Sequence, residues 1–311
     1  MTQNSNKDSV ARPVTLWRRA LPDVTAVFAL ILISFVYFAN PVLDGTVLTG
    51  HDHAAAVGAG VEMQDYRARH HGERTRWTNT LFSGMPTYQM SPSYPSTDRL
   101  TLLENIYKLG LPDYMVMLYV MLLGFYIMLR AFDFKAWMSA LGAVLWAFST
   151  YYIIIIFAGH IWKFYTLAFI PPTIGGMVLC YRRKYLWGLV VTAFFMALQI
   201  LSNHPQMSYY FLPVTGLMSL AFLFGDGKLC PTQETSASQR VKSWLKGTAV
   251  FVAGCLIGVA INLSNLYHTW EYSKESMRGK SELTSATKDA DEQTDSGIEF
   301  HSCRQHARAN L

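Results

Sequence analysis

Long apolar stretches alternate with polar connectors along most of the chain. Most of these stretches reach about 17–22 residues, the length that a helix needs to cross about 30 Å of hydrocarbon. The pattern predicts an all-α fold, a polytopic bundle of about seven transmembrane helices. The predicted spans are Val24–Phe38, Tyr114–Phe132, Ala136–Ala158, Tyr165–Tyr181, Leu186–Leu201, Gln206–Phe224 and Gly247–Tyr267.

Lysine and arginine collect in every second connector between these spans. The positive-inside bias of membrane proteins assigns such connectors to the cytoplasm. The basic connectors contain Lys7, Arg12, Arg18 and Arg19; Arg130 and Lys135; Arg182, Arg183 and Lys184; and Lys228, Arg240, Lys242 and Lys246. The N-terminus is therefore predicted to lie inside. The segments predicted to lie outside are the long loop at 43–113, the turns 159–164 and 202–205, and the tail after His268.

This alternation divides the chain into three predicted regions. Residues 1–22 form a cytoplasmic tail, residues 23–267 a transmembrane domain with an outer loop at 43–113, and residues 268–311 a polar outer tail. Within the outer loop, the stretch 54–69 lacks proline and carries Asp65 and Arg69 at helical spacing, which predicts a short helix. Glu62, Asp65 and Arg67 are interpreted as an exposed face of this helix. Prolines inside the later spans, at 171, 172 and 213, predict kinks there.

Composition supports a membrane protein and excludes several other classes. The chain is 51% hydrophobic and only 15% charged, whereas soluble domains carry about 25% charge. The net charge of +5 does not indicate a nucleic-acid partner, because the basic residues flank the spans instead of forming one patch. The four cysteines (Cys180, Cys230, Cys255 and Cys303) show no CxxC spacing, so neither a zinc site nor a disulfide framework is predicted.

The outer loop begins with a candidate catalytic carboxylate. Asp52 follows the first span by about ten residues, within Gly50-His51-Asp52-His53. A carboxylate there could deprotonate an acceptor hydroxyl or hold a divalent metal ion. Local spacing fits a solvated loop residue or a helix N-cap equally well. The flanking His51 and His53 make a metal site conceivable, so a divalent ion is one candidate cofactor and the metal requirement stays open.

Two short polar turns are predicted on the same face as Asp52. One contains His160 and Lys163, and the other contains His204. Together these side chains could bind a phosphate at the membrane surface, lysine as a point charge and histidine as a donor. Lys163 could instead extend to the membrane interface, and Asn203 could cap a helix that begins at Pro205. No P-loop, complete GxGxxG, GxSxG or HExxH motif is present.

These motifs also carry a resemblance to a known family. The chain resembles the bacterial YfhO-like membrane proteins from about Leu43 to about Gly297. The residues concerned are Gly50-His51-Asp52, Glu62, Asp65-Tyr66-Arg67, the run from Trp77 to Gln89, Gly159-His160 with Lys163, Asn203-His204 with Gln206, and the run from Asn265 to Ser273.

The resemblance implies a fold and an activity. Proteins of this family are similar to GT-C glycosyltransferases, which take a sugar from a polyprenyl-phosphate donor and use a catalytic carboxylate in the first outer loop. Asp52 matches that carboxylate, and His160, Lys163 and His204 would bind the donor phosphate. The expected partners are membrane lipids, a polyprenyl-linked sugar donor and an envelope glycan or polymer as acceptor. The expected location is the bacterial inner membrane, with the site facing outside.

Two further functional classes remain open at this stage. The resemblance ends near Gly297 and family members are longer, so the chain could be an inactive truncated fragment or a non-catalytic membrane protein. Small-residue faces such as Gly175-Gly176 and Gly254–Gly258 are expected to lack partners in that case. A lipid or polymer transporter is the other alternative. Transporters usually carry intramembrane charge, and the third to seventh predicted spans carry essentially none.

Overall fold

The computed structural model of the protein describes residues 16–46, 50–90, 94–225 and 236–274. Within these ranges the chain is almost entirely helical, which confirms the predicted all-α helical bundle. Its helices are α1 Leu16–Tyr37, α2 Ala39–Leu43, α3 His51–Arg69, α4 Asp98–Tyr107, α5 Asp113–Ala131, α6 Ala136–Ala147, α7 Thr150–Ala158, α8 Ile161–Tyr181, α9 Tyr185–Leu201, α10 Pro205–Phe224, α11 Ala237–Ile261 and α12 Leu263–Lys274. A two-stranded antiparallel hairpin, β1 Trp77–Thr78 with β2 Met85–Pro86, lies between α3 and α4.

Five of the described helices are long and apolar enough to cross a membrane: α1, α5, α8, α10 and α11. The pair α6 and α7 would make a sixth span if it crosses as one bent unit. Helix α9 is apolar but has only 17 residues, about 25 Å at 1.5 Å per residue. The protein is therefore a membrane protein with five or six candidate spans. The predicted number of seven is reached only if the α6–α7 pair and α9 each cross the membrane.

The predicted third span, Ala136–Ala158, is not one continuous helix but a bent pair, and whether the pair crosses as one span stays a prediction. Helix α6 ends at Ala147, α7 begins at Thr150, and the two are bent by 55°. Ser149 has an extended backbone (ψ 133°), and its carbonyl accepts the amide of Tyr152, which restarts the helix. The break contains no proline, whereas α8 and α10 continue unbroken through their interior prolines.

The predicted last span, Gly247–Tyr267, is shifted along the chain. Helix α11 begins at Ala237 and ends at Ile261. The buried Asn262 ends it, because its side-chain amide donates to the carbonyl oxygens of Gly258 (3.1 Å) and Ala197 (3.0 Å). A side-chain donor at that position satisfies a carbonyl that the helix itself leaves open.

Helix α8 lies at the centre of the bundle and packs against α5, α9 and α11. Pro172 removes the amide that would bind the carbonyl oxygen of Ala168. Gly124 of α5 lies against that oxygen, where an added Cβ would come within 2.4 Å. Gly176 and Gly254 both pack against Thr192, and the expectation that such small-residue faces lack partners is therefore wrong.

The connectors sort to the two ends of the bundle. At one end, Arg182 pairs with Asp133, Arg183 donates to Ser243 at 3.2 Å, and Arg130 pairs with Asp23 at 2.6 Å. The α7–α8 turn, the α9–α10 turn and α3 lie at the opposite end, which we call the site face. The predicted helix 54–69 is confirmed as α3 and begins three residues earlier, at His51.

By its internal contacts the chain divides into two units, Met1–Ser264 and Asn265–Leu311. The first unit contains all of the candidate spans. Helix α1 begins at Leu16, inside the segment predicted as a tail, and its apolar span begins at Ala20. Most of the predicted outer tail lies outside the described residues.

Candidate functional site

Two glycines bring the start of α3 against the turn between α7 and α8. A Cβ added to Gly50 would lie 2.7 Å from the carbonyl oxygen of Phe157 and 2.8 Å from the amide nitrogen of Gly159. Gly159 itself has a left-handed backbone (φ 85°), which ends α7, and its added Cβ would lie 2.8 Å from the amide nitrogen of His53. Glycine at both positions allows the two backbones to meet.

This contact brings together two of the predicted site residues. Asp52 lies in the first turn of α3 and His160 lies at the N-cap of α8. The Oδ2 atom of Asp52 is 3.2 Å from the Nδ1 atom of His160, and both side chains are about half exposed. Asp52 and His160 can therefore share a proton or act as one polar unit.

A cavity of about 890 Å³ opens beside this pair on the site face. One wall is α3, from His53 to Arg67, and another is formed by residues 74–76 with Leu81, Thr87 and Met90. The remaining lining comes from the α7–α8 turn, Gly159 to Lys163, and from His204. Ala55, Val57, Met63, Ile161 and Trp162 add apolar surface, so the cavity has both cationic and apolar lining.

The three predicted phosphate-binding residues, His160, Lys163 and His204, all line this cavity. Arg67, Arg74 and Arg76 line it as well, and none of its described lining residues is acidic. Arg74 pairs with Asp98 at 2.8 Å, and Arg76 lies 4.9 Å from the ring centre of Tyr94. Such a set of cations favours an anionic ligand, and the arginines suit the oxygens of a phosphate.

Two of these cations make no ion pair with a described residue. Arg67 is exposed, and Lys163 is half-buried with its Nζ atom 5.4 Å from the ring centre of Tyr151. A lysine over an aromatic ring keeps its charge available to a ligand. Asp52 is not among the lining residues, and it contacts the cavity through His160.

The surroundings of His204 favour its neutral form. Burial lowers the pKa of His204 below its ordinary value, and the charges of Lys163 and His160 lower the pKa further. Its Nδ1 atom is buried and has no partner among the described residues. A neutral imidazole can donate one hydrogen bond to a ligand, and it adds no charge to the cavity near neutral pH.

Glu62 holds the hairpin against α3. Its carboxylate accepts the hydroxyl of Thr78 at 2.6 Å and the backbone amide of Asn79 at 2.7 Å. These hydrogen bonds lower the pKa of Glu62. The sequence interpretation of Glu62 as part of an exposed helix face is therefore wrong, whereas the predicted pair of Asp65 with Arg69 is present at 3.4 Å.

The described residues do not form a metal site. No three histidine, cysteine, aspartate or glutamate side chains of the described part of the chain lie together as metal ligands would. Asp52 is instead in contact with His160, and His53 lines the cavity. The side chain of His51 lies outside the described residues. Among the described side chains, Asp52 and His53 therefore do not complete the set of ligands that a divalent ion needs.

Sequence reasoning missed the role of three arginines. The sequence pattern assigns Arg67 to an exposed helix face and assigns no role to Arg74 or Arg76. One signal could have identified them: Arg67, Arg69, Arg74 and Arg76 lie within ten residues of a loop predicted to be outside. The positive-inside bias disfavours such a basic run on that side, which makes a specific use for it the better explanation.

Comparisons of the chain with protein-family models, curated proteins and solved structures found no match.

Proposed function

We propose that the protein is a membrane glycosyltransferase that takes a sugar from a polyprenyl-phosphate donor. The observation that carries this proposal is the cationic cavity, which gathers His160, Lys163 and His204 with three arginines beside Asp52. The apolar lining suits a donor that is both anionic and lipid-linked. The sequence resemblance to YfhO-like proteins and GT-C enzymes supports the same reaction class.

In the proposed reaction, an acceptor hydroxyl attacks the anomeric carbon of the donor sugar. The bond between that carbon and the phosphate oxygen breaks as the new glycosidic bond forms. Asp52, as general base, takes the proton of the acceptor hydroxyl. Polyprenyl phosphate is the leaving group, and Lys163, His160 and His204 stabilise its charge together with the arginines.

The Asp52–His160 contact supports this division of roles. A carboxylate in the lining of the cavity would compete with the donor phosphate for the cations of the site. In the observed position Asp52 is 3.2 Å from His160, and His160 lines the cavity whereas Asp52 does not. His160 can therefore orient Asp52 and contact the phosphate with its other nitrogen.

We further propose a seven-span, GT-C-like topology that includes α9 and the bent α6–α7 pair. The N-terminus would lie inside and the site face outside, in a bacterial inner membrane. The clustering of Arg130, Arg182 and Arg183 at the end opposite the cavity supports this orientation.

The direct test is transfer of labelled sugar by membranes that contain the protein. We expect transfer from polyprenyl-phosphate sugars to an envelope glycan fraction and none from soluble nucleotide sugars. Movement of the intact donor across the membrane without sugar transfer would replace this proposal with a transporter. Binding of the donor with neither transfer nor transport would indicate a non-catalytic protein.

A further inference from the structure

Helix α4 has its polar and apolar faces in an unusual arrangement. Glu104 and Lys108 form an ion pair at 2.7 Å, and their side chains are only 13% and 20% exposed. Leu103 and Ile106 are 50% and 61% exposed, and Leu102 is exposed beside them. A helix in water turns its apolar side to the protein and its charges to solvent. The C-terminal half of α4 departs from this rule, because its ion pair faces the bundle beside Leu100 and Tyr107 while three large apolar side chains lie exposed among Arg99, Thr101 and Asn105.

The inner face of α4 reaches into the bundle. The ring of Tyr107 contacts three aromatic rings, with centroid distances of 6.2 Å to Phe169, 6.2 Å to Phe194 and 5.4 Å to Phe195. Lys108 lies beside it, with its Nζ atom 4.0 Å from the ring centre of Tyr165. The C-terminal end of α4 is therefore anchored to α8 and α9.

These contacts give the depth of α4. Phe169 follows the start of α8 at Ile161 by eight residues, about 12 Å along the helix at 1.5 Å per residue. Phe194 precedes the end of α9 at Leu201 by seven residues, about 10 Å. Both ends belong to the site face. The ring of Tyr107 thus lies level with residues that are about 10 Å inside the ends of α8 and α9.

We propose that α4 is immersed in the membrane beside the cavity and that lipid hydrocarbon chains cover its exposed apolar face. At that depth lipid-facing side chains are mostly apolar and charged groups pair inside the protein, as Leu103, Ile106 and the Glu104–Lys108 ion pair do. Arg99, in the first turn of the same exposed face, lies at the level where lipid phosphates would meet it.

The position of α4 also links this lipid-facing surface to the cavity. Asp98, the first residue of α4, pairs with Arg74, and Arg74 lines the cavity. A molecule with an anionic head in the cavity would therefore have its hydrocarbon chain next to α4. The location of α4 itself depends on no assumption about catalysis.

The test measures what surrounds α4 in a bilayer. Spin labels are attached to single cysteines at Leu103 and Ile106 in a variant whose four native cysteines are replaced by alanine. The protein is reconstituted in vesicles of phosphatidylcholine and phosphatidylglycerol. Matched controls are Leu217, an exposed residue of α10, and Asp65, an exposed residue of α3. We expect both α4 labels to collide with oxygen, as at Leu217, and to be shielded from a water-soluble nickel chelate.

Two other outcomes would overturn the proposal. Nickel access equal to that at Asp65 would show that α4 faces water. Shielding from both reagents would show that protein covers the face, either another segment of this chain or a second copy.

A second measurement does not need the cysteine-free variant. Ile106→Asp should reduce the yield of folded, membrane-inserted protein several-fold, whereas Val61→Asp on α3, where Val61 is 48% exposed, should not. Equal yields for the two variants would contradict immersion of α4.

Discussion

The Oδ2 atom of Asp52 lies 3.2 Å from the Nδ1 atom of His160, although the two residues belong to segments far apart in the chain. One comes from the first turn of α3 and the other from the cap of α8. The contact exists because Gly50 and Gly159 let the two backbones meet. It connects the proposed base with the proposed phosphate site, so a substitution in one should affect the function of the other.

The first prediction concerns the proposed base. Asp52→Asn removes a proton acceptor and barely changes side-chain volume, so sugar transfer should fall by about a hundred- to ten-thousand-fold. Membrane insertion and protein level should stay near normal. Asp65→Asn is the matched control, because Asp65 is exposed and pairs with Arg69 on the same helix. Full activity in the Asp52 variant, with loss in the Asp65 variant, would refute the assignment.

The cationic lining gives a second prediction, with a control two residues further along α3. Arg67 lines the cavity, whereas Arg69 pairs with Asp65 away from it. Arg67→Ala should raise the donor concentration needed for half-maximal transfer by roughly ten-fold, the value of one charge-assisted hydrogen bond. Arg69→Ala should change it little. Lys163→Ala should act like Arg67→Ala, and Lys163→Arg should restore part of the loss. Equal effects of Arg67→Ala and Arg69→Ala would show that the cavity does not bind the phosphate.

The close packing of Gly50 against the α7–α8 turn predicts a steric effect that can be tested without changing any charge. Gly50→Ala places a methyl group against backbone atoms of Phe157 and Gly159, which should destabilise the protein by about 1–3 kcal/mol and separate Asp52 from His160. Gly58 lies on the same helix with nothing within 4 Å of its added Cβ. Gly58→Ala should therefore stabilise α3 by about 0.5–1 kcal/mol. Thermal unfolding and transfer rates of both variants check this, and a harmless Gly50→Ala would contradict the contact.

The hydrogen bonds of Glu62 predict that the stability of the hairpin depends on pH. Its folded-state pKa is lowered by the hydrogen bonds from Thr78 and Asn79. A carboxyl group with a lowered pKa contributes stability above its unfolded pKa and loses it as the pH falls through the folded pKa. Glu62→Gln should therefore speed amide exchange at Asn79 near neutral pH. The difference from the native protein should shrink toward about pH 3. A difference that stays constant over this range would show that Glu62 is not the anchor.

The proposed orientation is testable with exposed positions on each face. Single cysteines at Glu73, between α3 and the hairpin, and at Ser238, in the first turn of α11, are both accessible in the structure. In intact cells an impermeant thiol reagent should label the first position and reach the second only after the membrane is opened. Labelling of the second position alone in intact cells would reverse the orientation.

The sequence by itself determined the class of the fold and the rough place of most helices. Apolar runs of spanning length need no tertiary information to be recognised, because the bilayer sets their length. The same holds for α3, whose helical spacing and lack of proline are local properties. It also identified Asp52, His160, Lys163 and His204 as candidates, and three of these four line one cavity.

Only the tertiary structure decided where helices stop and which charges serve the site. The break at Ser149 and the end of α11 at Asn262 depend on hydrogen bonds and packing that no local pattern records. Glu62 and Arg67 lie on the same short helix, yet one holds the hairpin and the other lines the cavity. The inward ion pair of Glu104 with Lys108 and the exposure of Leu103 and Ile106 on α4 became evident only from the neighbouring helices. The exposure of a side chain and the groups that it contacts are properties of the folded chain. The same type of residue can face water, lipid or a ligand, and the neighbouring helices decide which of these it meets.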